Sequence, residues 1–63
     1  MNMQEIIEIL MRRDGISYAD AKEAYLECRE AIQEAIDDGE VFEVEEILAS
    51  ELGLEPDYIF NFI

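Results

Sequence analysis

Histidine is missing from this chain. Cysteine and proline occur once each, and lysine and arginine together number 4 against 17 aspartates and glutamates. Each shortage excludes something. Without imidazole the commonest general base is absent, so Ser17, Ser50 and Cys28 have none to activate them as nucleophiles. No catalytic constellation is visible, and a non-enzymatic role is expected. A single cysteine allows no internal disulfide. Cys28 falls on an apolar helix face, where a thiol behaves as a small buried hydrophobe. A lone thiol without a secretory signal points to the reducing cytoplasm. No apolar run approaches the ~20 residues that span a bilayer. With a formal net charge of -13, the surface repels nucleic acid and anionic membranes, so neither is expected as a direct partner.

What is present is compact. Sixty-three residues make one acidic helical domain, residues 1–63. A chain this short buries only about 60% of its unfolded surface and has little room for a pocket of ~300 Å³. Yet 51% of the residues are hydrophobic, too many for a disordered acidic tail.

The periodicity predicts an all-α fold, a compact bundle of three main helices plus a short C-terminal helix. The first helix is expected over about Met3 to Arg13, with Asn2 as N-cap. Ile6, Ile7, Leu10 and Met11 form its apolar face, and Glu8 and Arg12 a well-oriented ion pair. Asp14-Gly15 ends it, and Ile16 folds back as the hydrophobic residue beyond the cap. Ser17 caps a second helix, with Asp20 three residues on. That helix runs from Tyr18 to about Asp38. Its seam is Ala21, Tyr25, Cys28, Ile32 and Ala35, widened by Ala24, Ala31 and Ile36. After Gly39 and a short Glu40-Val41-Phe42 connector, a third helix covers Glu43 to Leu52, with Val44, Ile47, Leu48 and Leu52 inward. Gly53-Leu54 repeats the first corner, and Pro56 opens the last helix. The expected core is Ile6, Leu10, Ala21, Tyr25, Cys28, Ile32, Val44, Ile47, Leu48, Leu54 and Ile59. Tyr58, Ile59, Phe60, Phe62 and Ile63 are too apolar for a free tail. They either cap this core or associate with a second copy.

Two motif readings fail on single positions. Glu34 to Glu45 overlays a calcium loop, with Gly39 sixth and Glu45 twelfth, but its third place is Ile36, which offers no oxygen. No metal and no cofactor is therefore expected. A carrier-protein reading needs a serine in an Asp-Ser-Leu setting. Gly15-Ile16-Ser17-Tyr18 lacks both flanks, and a cap explains Ser17.

One pattern remains unexplained by folding. Asp20, Glu23, Glu27, Glu30, Glu34 and Asp37 step by three and four along one face of the second helix. Like charges at that spacing destabilise a helix by about 0.2–0.5 kcal/mol per pair. Lys22 and Arg29 have no acidic neighbour at i±3 or i±4, so the helix forgoes compensating pairs. The stripe serves either solubility or binding to a basic protein surface.

Residues 10–21 (LMRRDGISYADA) and 52–59 (LGLEPDYI) resemble small acidic helical proteins encoded by bacteriophages and prophages. The resemblance implies a viral origin. It also implies a role such proteins often play, blocking host defence complexes as anti-CRISPR proteins do, some by presenting carboxylates where the target expects phosphates. The expected function is inhibition of a host nucleic-acid-binding or defence protein, through nucleic-acid mimicry by the six acids, in the host cytoplasm. The alternative is a structural or regulatory module that assembles through apolar helix surfaces. A core too small for its apolar residues suggests a homodimer, through the second-helix seam or the aromatic C-terminus.

Overall fold

The structure, a computed structural model, describes residues 3–62 and leaves the side chain of Asn61 undescribed. The expected Asn2 cap and Ile63 lie outside these residues. Three α-helices follow one another, α1 (Met3–Asp14), α2 (Tyr18–Asp37) and α3 (Glu43–Leu52), and a 3-10 helix closes the chain at Pro56–Asn61. The all-α bundle is thus as the periodicity predicts. Both α1 and α3 pack on α2, and the 3-10 helix packs on α3.

Local chemistry sets both ends of α2 and the end of α3. The Asp20 N–H donates to Ser17 Oγ at 3.1 Å, which satisfies one of the free donors at the start of α2. At the other end, Gly39 has φ +78°. The Glu40 N–H reaches back to Ala35 O at 2.8 Å, the six-to-one bond of a Schellman turn. Gly53 ends α3 with the same left-handed backbone, φ +64°, but with other bonds: its own N–H donates to Ala49 O at 3.0 Å and the Leu54 N–H to Leu48 O at 3.3 Å. Leu54 then turns inward and is buried. The expected short C-terminal helix is present as a 3-10 helix. Six residues opened by Pro56 are too few to nucleate α-helical bonding. The bonds from Tyr58 N–H to Glu55 O and from Phe62 N–H to Ile59 O span three residues.

The core joins Ile6, Ile7 and Leu10 of α1 to Ala21, Tyr25, Cys28, Ile32 and Ala35 of α2, and these to Val44, Leu48, Leu52 and Leu54. Ile47 and Ile59 only flank it, half-buried. Phe62, one of the C-terminal residues expected either to cap the core or to meet a second copy, is buried and stacks on Tyr25 with ring centroids 4.7 Å apart. The α2 seam is therefore filled from within one chain and is closed to a second copy, contrary to one route expected for a homodimer. Of the C-terminal apolar residues described, Phe62 caps the core, Tyr58 and Ile59 are half-buried, and Phe60 stands out at 71% exposure. The accessible surface of 4206 Å² matches the ~4,200 Å² expected of a folded monomer of this size.

Arg13 does something its position in α1 does not suggest. Its guanidinium donates to Leu52 O at 2.6 Å and to Gly53 O at 3.2 Å, tying the end of α1 to the carbonyls left free at the end of α3. It also pairs with the neighbouring Asp14 carboxylate at 2.9 Å. No ion pair forms between Glu8 and Arg12. Both are exposed, where a pair gains little against water and side-chain entropy.

Candidate partner-binding surface

At 100° per residue the buried seam of α2 and the acidic stripe lie on roughly opposite faces. Burial follows this rule. Ala21, Tyr25, Cys28, Ile32 and Ala35 are buried, whereas Asp20, Glu23, Glu27, Glu30, Glu34 and Asp37 are all exposed. The core thus turns the stripe outward as one row. Seventeen residue steps at 1.5 Å each make the row about 25 Å long. The longest extent of the molecule is 34 Å, so the row runs along most of it. Its charges recur about every 5 Å, against ~3.4 Å per charge along one DNA strand.

None of the six carboxylates has a lysine or arginine partner among the described residues. The two cations of α2, Lys22 and Arg29, share a separate exposed flank with Leu26 and Gln33. Arg13 is engaged with the carbonyls of Leu52 and Gly53. The six acids lie strung out, and no three acidic or cysteine side chains converge on a metal-sized site among the described residues. Among those residues, no helix is long and apolar enough to cross a membrane.

The row continues into the corner between α2 and α3. Asp38, Glu40, Glu43, Glu45 and Glu46 are all exposed there. The Glu43 carboxyl is raised above its ordinary 4.5, chiefly by a hydrogen bond with the Glu40 side chain and then by the charge of Glu40. Two carboxyl groups this close hold a proton between them more readily than one alone. Amid these acids, Val41 is 60% and Phe42 97% exposed. In the sequence these two read as a plain connector. The available signal was an apolar pair between acidic residues with no periodic partner to bury it.

Two other features do not form a reactive site. A shallow hollow of about 180 Å³ on α3 is lined by Glu43, Glu46, Ile47 and Ser50. The Ser50 hydroxyl turns back toward Ile47 O at 3.4 Å. Cys28 is fully buried, and desolvation pushes its thiol up to about 11, which keeps it protonated and unreactive at neutral pH.

Comparison with known proteins finds no matching family, no similar curated protein and no similar solved structure.

Proposed function

We propose that this chain is a non-enzymatic, acidic binding protein of the phage type, which occupies the basic, nucleic-acid-binding surface of a host protein, a defence protein among the candidates, and so inhibits it. The observation that carries this reading is the row of six exposed carboxylates without cationic partners. A fold seeking only solubility gains more from mixed signs. A single-sign row about 25 Å long instead focuses a negative potential and steers encounter with a basic groove. Carboxylates there take the place of phosphates, at a lower charge density than one DNA strand. The setting is the host cytoplasm, consistent with the free buried thiol.

A second reading draws on Val41, Phe42 and Phe60, which are exposed apolar groups. In it the chain is a structural or regulatory module that assembles through apolar surface, with a second copy as the simplest partner.

Retrieval of partners from host lysate separates the two. The control is the variant Glu23→Gln, Glu27→Gln, Glu30→Gln, Glu34→Gln. The mimicry reading expects the wild type to retrieve a nucleic-acid-binding protein that the variant does not, and to compete with that protein's nucleic acid. Equal retrieval at low salt would leave the row a solvated face.

A further inference from the structure

We propose that Phe42, with Val41 beside it, is an apolar anchor that inserts into a pocket rimmed by lysine and arginine on the protein partner. This rests on the reading of the acidic row as a partner-binding surface and adds a second kind of contact to it.

The fold gives Phe42 no structural task. Its side chain is 97% exposed, so it contributes nothing to the core, and it makes no cap for α3. Such a ring on a monomer's surface invites association. It is also held in place. The corner that carries it is pinned by bonds from Asp38 N–H to Glu34 O, Glu40 N–H to Ala35 O, Glu43 N–H to Glu40 O and Val44 N–H to Val41 O, at 2.8–3.2 Å. A ring displayed on an ordered turn loses little entropy on docking, and aromatic groups are enriched at the centres of interfaces.

Charge selects the occupant. Val41 and Phe42 come four and five residues after Asp37, the last member of the row, and stand among exposed Asp38, Glu40 and Glu43. A second copy of this chain would bring the same acids, and a net charge of -13, against them. An anionic bilayer is repelled for the same reason. A protein pocket with an apolar floor and a basic rim meets both features at once. The rim engages the acids and the floor takes the ring, so that charge sets encounter and register while the buried ring sets the dissociation rate.

The probe is a displayed library of random peptides selected on immobilised wild-type protein. Enriched peptides are then titrated against the wild type, Phe42→Ser and the four-glutamine variant, with circular dichroism confirming that all three fold. The expected peptides combine aromatic or leucine residues with lysine or arginine. They lose roughly 30-fold or more in affinity on Phe42→Ser, the loss typical of an aromatic anchor, and lose affinity again on the four-glutamine variant. Purely basic peptides that bind Phe42→Ser as they bind the wild type would overturn the anchor while sparing the acidic row. Three outcomes overturn the committed partner: apolar peptides without basic residues, no enrichment at all, and self-association of the wild type that Phe42→Ser abolishes. Equal binding to the four-glutamine variant would count against the row alone.

Discussion

Individual side chains divide here into those the fold consumes and those it leaves over. Arg13 is consumed. Its guanidinium meets two carbonyls at the end of α3 that no helical N–H can reach. Residues 39 and 40 positions apart are thereby joined by one side chain. Nothing local encodes such a contact. The sequence shows only a basic residue at the end of α1, which the dipole of α1 itself explains. Arg13→Ala should lower stability by about 1 kcal/mol, the worth of exposed charge-assisted bonds, and Arg13→Lys should recover only part of it because an ammonium cannot fork between two carbonyls. Urea denaturation checks this, and an unchanged midpoint for Arg13→Ala would show the clip to be idle. Phe42 is left over, and so are the six acids of α2.

Helices were the most legible features, and the reason is chemical. Ser17 with Asp20, Gly39, and Gly53 with Leu54 each satisfy backbone groups within a few residues, so the ends of α2 and α3 are written locally. That the apolar C-terminus needs cover is legible, but not which of its rings turns inward, Phe62 rather than Phe60. The place of Phe62 depends on Tyr25, far away in sequence, leaving room for a stacked ring. The type of the final helix was hidden too, since six residues carry no period that tells 3-10 from α. For the acidic row the sequence gives position and exposure, because the buried seam fixes which face points out. Purpose is not encoded in the same way. The row should work against its own helix. Replacing Glu23, Glu27, Glu30 and Glu34 by glutamine removes all five like-charge steps. It should raise stability by about 1 kcal/mol at low salt, with less gain at high salt. In a domain of this size that is ~4–8 °C in thermal midpoint. A lower midpoint would mean that the acids stabilise the fold and are not held for another purpose.

The whole molecule is a small bundle charged almost throughout with one sign, and its stability should depend on pH in two directions. Glu43 is raised above 4.5 by Glu40. A raised carboxyl contributes stability that is present below the unfolded value and lost as pH rises through the folded one. Asp14 is lowered below 3.8 by its hydrogen bond from Arg13, so its contribution is present above 3.8 and lost as pH falls through the depressed value. Relief of self-repulsion acts in the same sense as Glu43. Thermal midpoints should therefore rise as pH falls from 7 toward about 4.5 and turn down below about 3.8. A steady loss on acidification from neutrality would contradict the account.

The same charge sets the form of binding. A contact role for the row on α2 requires binding that weakens as salt rises. Affinity for the retrieved partner is measured for the wild type and the four-glutamine variant as salt rises from about 50 to 200 mM. Displaced ions should make log affinity fall linearly with log salt. The expected result is a steep slope for the wild type and a clearly shallower slope, with weaker binding at low salt, for the variant. Identical slopes and identical affinities would contradict it, and the six carboxylates would then be no more than a solvated face.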